Sequence, residues 1–127
     1  MILEIDPQSN EPLYLQMKRQ IILGLAHGQL AFGEQLPSVR ALADEIGVNM
    51  MTVSKAYTAL KEDGYLVTDR RTGTKIAESI PEANDFVDHF TQELSLLLAD
   101  WFNHGKSAEE CLTLAANILE TFRKEHQ

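Results

Sequence analysis

One cysteine, one tryptophan and four prolines occur in 127 residues. A single thiol, Cys111, cannot close an internal disulfide, so oxidative stapling is absent and a reducing compartment is the simpler expectation. Long apolar runs are missing too. No stretch approaches the ~18–20 apolar residues of a membrane span, and Met1-Ile2-Leu3-Glu4-Ile5-Asp6-Pro7 lacks the basic cluster that opens a secretory leader. A cytoplasmic protein without membrane association is therefore expected. Positive charge is scarce: 11 Lys and Arg face 19 Asp and Glu, a formal net charge of -8. Such a balance argues against indiscriminate coating of nucleic acid or anionic lipid, but not against a locally basic face. What is present is ordinary globular composition, 44% apolar and 24% charged, in a length that suits one domain or a small domain with an appendage.

The charge is unevenly placed. Residues 1–80 hold 8 basic and 10 acidic side chains, whereas residues 81–127 hold 3 and 9. Glycine and proline punctuate the first part throughout, but after Pro81 only Gly105 interrupts. Two parts of different architecture are expected, 1–80 and 81–127, with no internal repeat.

In the first part, Asn10-Glu11-Pro12 reads as a helix start, followed by Leu13, Met17, Ile21 and Leu25 at i, i+4, with Ile22 widening the stripe and Gly28 as a stop. Ser38 can cap a short helix with Val39, Leu42, Ala43 and Ile46 facing inward, ended by Gly47. After only Val48 and Asn49 a further helix opens, with Val53, Ala56, Tyr57 and Leu60 on one face and Gly64 as its stop. Two short helices across a tight glycine turn are the signature of a helix-turn-helix, although an ordinary helical hairpin in a bundle gives the same spacing. Two extended runs, Tyr65-Leu66-Val67-Thr68 and Lys75-Ile76-Ala77, flank a polar tip that contains Arg70, Arg71 and Gly73, which reads as a β-hairpin. Directly after the second helix, such a hairpin makes a winged helix, and its two arginines are candidates for phosphate or minor-groove contact.

In the second part Phe86, Phe90, Leu94, Leu97 and Trp101 form an apolar stripe about five turns long. Ser107-Ala108-Glu109-Glu110 looks like a capping box for a second helix carrying Cys111, Ala115, Ile118, Leu119 and Phe122. An antiparallel pair follows, too rich in aromatics to stand alone, and a second copy is its favoured cover. Phe86, Phe90, Leu94, Leu97, Trp101, Leu119 and Phe122 are the candidate dimerisation residues. The fold class is thus mainly α with a small β-wing: a winged helix-turn-helix over 1–80 and a two-helix dimerisation hairpin over 81–127.

The residues also carry a likeness. Pro12-Leu13-Tyr14-x-Gln16, Gly33-x-x-Leu36-Pro37-Ser38-x-Arg40-x-Leu42-Ala43, Gly47-Val48-Asn49-x-x-Thr52-Val53, Ala56-Tyr57-x-x-Leu60 and Gly64-Tyr65-Leu66 through Gly73-Thr74 resemble the winged-helix domain of the GntR family of bacterial transcription regulators. With a tail of only two helices, the chain looks most like the YtrA subfamily. The resemblance implies a homodimer that binds a double-stranded operator with inverted half-sites, most often as a repressor and in this subfamily often beside transporter genes. It places Arg40, Asn49, Thr52, Ser54 and Lys55 on the helices that face DNA, and Arg70, Thr72, Gly73 and Thr74 on the wing. An arginine near a helix start also suits bidentate phosphate or guanine contact on chemical grounds. One departure is notable: Met50 and Met51 follow Asn49 where relatives usually place proline and a polar residue. Met51 falls where a side chain faces the groove and is placed to pack on a thymine methyl. Met50 is equally suited to filling core space.

Tyr57 reads as core with a bonded hydroxyl, and Cys111 as buried and inert. His27, His89, His104 and His126 are scattered, so no metal site is expected. There is no phosphate-cradling loop and no nucleophile–base constellation, which points away from an enzyme and from a cofactor. The competing reading is a winged helix used for protein contact without sequence-specific DNA binding. The sequence does not say whether a small-molecule effector exists.

Overall fold

The structure, a computed structural model, describes residues 4–126. The described residues fall into two compact units that divide between Ile80 and Pro81.

The first unit runs α1 (Leu13–Ala26), α2 (Val39–Ile46), α3 (Met50–Glu62), β1 (Leu66–Asp69) and β2 (Gly73–Ile76). α3 packs against both α1 and α2, and β1 follows along its far end. The i, i+4 stripes explain why these helices meet: Met17, Ile21 and Leu25 of α1 bury against Val53, Ala56, Tyr57 and Leu60 of α3, with Leu42 and Ala43 of α2 closing the core. Burying each large side chain contributes ~1.5–3 kcal/mol, which is what a domain this small needs from its few core positions. Ile22 is exposed instead of widening the α1 stripe.

Asn10 does not cap α1 either. Pro12 stands at the N-cap with no side-chain bond. The segment before it is pinned by two glutamines one turn apart. The Gln16 side chain accepts from the Asp6 amide at 2.9 Å and donates to the Asp6 and Glu11 carbonyls at 3.1 and 3.0 Å. Gln20 repeats the pattern on Glu4.

β1 and β2 pair antiparallel with Leu66 opposite Ile76 and Asp69 opposite Gly73, which leaves a three-residue tip, Arg70-Arg71-Thr72. A third rung was not legible in the sequence. Gln35 bridges to Lys75, the Leu36 amide donates to the Thr74 carbonyl at 2.8 Å, and the Ile76 amide donates to the Glu34 carbonyl at 2.8 Å. The hairpin therefore has one edge covered by the chain that leads into α2.

The second unit contains α4 (Phe86–Asn103) and α5 (Ala108–Glu125). Ser107 caps α5 by accepting from the Glu110 amide at 3.1 Å, while the Glu110 carboxylate accepts from the Ser107 hydroxyl and not from its amide, so only half of the expected reciprocal box forms. Neither helix has a buried residue. Nor do the two pack along their lengths as an antiparallel hairpin should. At their joint the Trp101 indole donates to the Ser107 carbonyl at 2.8 Å and the Lys106 ammonium lies over its ring. Cys111, expected buried, is half-buried for the same reason: no opposing helix closes over its face.

Candidate nucleic-acid interface

Three residues set the limits of α2 and the turn into α3. Ser38 caps α2, accepting from the Ala41 amide at 3.1 Å. Gly47 ends α2 at φ 73, a left-handed conformation that a side chain would strain. Asn49 then caps α3: its Oδ1 accepts the Thr52 amide at 2.9 Å and the Thr52 hydroxyl at 3.1 Å. This matters for the contacts expected of both residues. The Asn49 carbonyl oxygen and the Thr52 hydroxyl proton are committed to the cap, so what they retain for a ligand is the Asn49 amide donor and the Thr52 oxygen lone pairs. A helix start also leaves its first backbone amides unpaired, here those of Met50 and Met51, and these with the helix dipole favour an anion.

The angle between α2 and α3 is held from inside. Tyr57 is buried, and its hydroxyl donates to the Pro37 carbonyl at 2.8 Å, immediately before the Ser38 cap. Burial, helped by the Glu45 carboxylate, pushes its pKa up to about 12. The end of α3 is tied to α1 by a second cluster. The Tyr14 hydroxyl donates to Asp63, and the Lys18 ammonium reaches Asp63 at 3.4 Å while lying over the Tyr14 and Tyr65 rings. Partial burial works against the Lys18 charge, but Tyr14 and Asp63 outweigh it and raise its pKa. Position-by-position periodicity has no means of finding such a clasp, since its members lie 45 and 49 residues apart.

Stepping about 100° per residue from the buried Val53, Ala56, Tyr57 and Leu60 puts Met51, Lys55 and Thr58 on the opposite face of α3. Met51 and Lys55 are exposed, as are Asn49, Thr52 and Ser54. Met50 is 45% exposed and Met51 69%, so neither fills the core. Arg40 stands exposed in the first turn of α2.

At the wing, Arg70, Arg71, Thr72 and Gly73 are exposed and Thr74 is half-buried. The tip is braced rather than loose. Asp69 accepts from the Arg71 amide at 2.8 Å, the Thr68 and Thr74 hydroxyls meet at 3.3 Å, and the Gln35 side-chain amide donates to the Thr72 carbonyl. Gln35 was not among the sequence candidates, because a lone exposed glutamine in a loop gives no periodic signal.

The electrostatics separate the cations into two groups. Lys18, Arg19, Lys75 and Arg123 each have a carboxylate within the chain. Among the described residues of the first unit Arg40, Lys55, Lys61, Arg70 and Arg71 form no ion pair, and all five are exposed. Their charge is left for an external anion. The described residues contain no cluster of three His, Cys, Asp or Glu fit for a metal, and no helix long and apolar enough to cross a membrane.

In the second unit Phe86, Phe90, Leu94, Leu97 and Leu119 are exposed, and Trp101 and Phe122 are half-buried. The Trp101 indole N–H is already satisfied at the α4–α5 joint.

Comparison with known proteins adds to this geometry. Residues 13–76 match the family described as bacterial regulatory proteins, gntR family. The chain is 37% identical over 87 residues to an uncharacterized HTH-type transcriptional regulator of Bacillus subtilis, YhcF, covering 68% of this chain and 72% of that one. It is 42% identical over 78 residues to the HTH-type transcriptional repressor YtrA of the same organism, covering 61% of this chain and 60% of YtrA. Among solved structures, YtrA from Sulfolobus acidocaldarius, a GntR-family transcription factor, superposes with a TM-score of 0.61 at 34% identity, over 78% of this chain and 99% of that one.

Proposed function

Because this chain belongs to the gntR family of bacterial regulatory proteins, a family of transcription regulators and not of enzymes, we propose that it is a dimeric repressor that binds an operator of two inverted half-sites in the promoter of its own operon, one that encodes a membrane transporter. In this reading α3 enters the major groove, Arg40 reaches the flanking phosphate from α2, and Arg70, Arg71 and Thr72 grip the backbone from the wing. Residues 81–127 join two copies.

The observation that carries the proposal is the set of unpaired cations. The first unit has a formal charge of only -2, yet five of its eight basic side chains stand exposed without a carboxylate: four on α2, on the outward face of α3 and at the wing tip, and the fifth, Lys61, in the last turn of α3. An exposed cation left unpaired next to a glycine-turned pair of helices supports phosphate contact. Dimerisation is supported by the second unit, where two amphipathic helices have no fully buried residue. In an acidic protein the long-range field opposes DNA, so affinity has to come from these few placed contacts.

The test is a salt titration with promoter DNA. If Arg40, Arg70 and Arg71 of each protomer neutralise one phosphate apiece, the slope of log affinity against log salt is about -5 for the dimer, which is on the order of a 1,000-fold loss between 50 and 200 mM salt. Footprinting should then protect two half-sites one helical turn or a multiple apart. Flat, weak and sequence-independent binding overturns the proposal and leaves a protein-contact module in its place.

A further inference from the structure

The pair Met50–Met51 has no role in the fold. Both are exposed in the first turn of α3, Met51 by 69%, and neither belongs to the buried cluster that holds the unit together. Met51 stands on the face opposite Val53 and Leu60, one turn before Lys55, so it is the foremost side chain of the helix on that face. Apart from Met50, the residues around it offer polar chemistry: the Asn49 amide donor, the Thr52 oxygen, the Ser54 hydroxyl and the Lys55 ammonium. Met51 offers none, since a thioether is at best a feeble acceptor.

Resting on the DNA-binding reading above, we propose that Met51 is a specificity-determining residue that reads a thymine C5-methyl group in each half-site. Among major-groove features only one suits such a side chain. Base edges there present acceptors, amino donors and a single apolar group, the methyl of thymine. Placing an apolar thioether against a donor or an acceptor strands that group without water or partner, which costs affinity, whereas against a methyl it removes apolar surface from water on both sides. The flexible side chain, with three rotatable bonds, can reach the methyl without demanding the fixed geometry of a bidentate amide.

The test deletes the methyl and nothing else. A duplex is selected from a random library by the full-length protein, and each of its thymines is replaced in turn by deoxyuridine. Burying one methyl corresponds to about a fourfold change in affinity. Wild-type protein should lose about fourfold per half-site at one symmetry-related thymine, 5-methylcytosine paired with guanine should be preferred over cytosine at that position, and Met51→Ala should be indifferent to both changes. Because Met51 is a surface residue, the variant keeps its core and should still bind the selected duplex. An enriched duplex at which no deoxyuridine matters, or a deoxyuridine effect that persists in Met51→Ala, overturns the assignment while leaving DNA binding intact. A selection that enriches no sequence overturns the assignment and the DNA-reading function together.

Discussion

Truncating Leu97 to alanine puts the role of residues 81–127 to a quantitative test. Leu97 sits mid-way along α4 and is 67% exposed in the single chain. Full burial of a leucine stabilises by ~1.5–3 kcal/mol, so covering the exposed two-thirds contributes ~1–2 kcal/mol. In an interface built on a two-fold axis the same residue counts once from each protomer, which doubles the loss to ~2–4 kcal/mol per dimer. At about 1.4 kcal/mol per tenfold, Leu97→Ala should weaken the dimer by about 30- to 1,000-fold. Sedimentation velocity over a concentration series reads the dissociation constant directly. The fold of the first unit should be untouched, because no residue of α4 belongs to its buried cluster, and circular dichroism provides that control. A dissociation constant that moves by less than about threefold would refute the assignment, since it falls below the smallest loss the exposed area allows. A wild-type chain that remains monomeric throughout would refute it more broadly.

Three further outcomes follow from the geometry. Arg70→Ala should weaken binding to every DNA sequence alike and reduce the salt slope by about one unit per protomer; a loss confined to one operator would mean that Arg70 reads a base. Gln35→Ala removes the brace on the Thr72 carbonyl, and at ~0.5–1.5 kcal/mol for one hydrogen bond it should weaken DNA binding about two- to tenfold, with faster amide exchange confined to the wing. For Tyr57, burial raises the native pKa to about 12 above an unfolded value of about 10, so its contribution is complete below pH 10 and is lost as pH climbs from 10 to 12, by ~2–3 kcal/mol in all. Tyr57→Phe should therefore be less stable at neutral pH, for want of the Pro37 bond, yet show a shallower decline of its urea midpoint through the alkaline range.

The first unit was legible where a single local pattern fixes the outcome. The Val53, Ala56, Tyr57 and Leu60 face gave the buried side of α3, and Ser38, Gly47 and Asn49 gave the limits of the turn, because caps and stripes act within one or two turns of helix. Three things escaped. Asn10-Glu11-Pro12 looked like a capped start, but Gln16 and Gln20 reach back to the chain before α1 and hold it without a cap at Asn10. Gln35 serves the wing tip across 37 residues, and Asp63 clasps Tyr14 across 49. Both are polar contacts set by tertiary placement, which leave no period in the sequence. At the candidate interface, residue type alone did not show that Asn49 and Thr52 are exposed yet bonded to each other, which reduces what either can offer a ligand.

The second unit was misjudged in one respect, and the reason bears on how it assembles. Stripes on two consecutive helices suggested a closed hairpin, yet α4 and α5 stay apart along their lengths. The width of the α4 stripe accounts for this. Taking about 100° per residue, Phe86, Val87, Phe90, Leu94, Leu97, Leu98 and Phe102 spread over roughly 160° of the helix, well beyond the ~100° that one neighbour covers. Closing α5 onto α4 would bury one side of that arc and leave the other in water. An open pair with unspent apolar surface on both helices can instead take a partner's helix into the angle, so that each α4 meets more than one neighbour. If residues 81–127 join two copies as proposed, the spacing of these helices favours an interlocked second copy over a face laid flat against a finished hairpin.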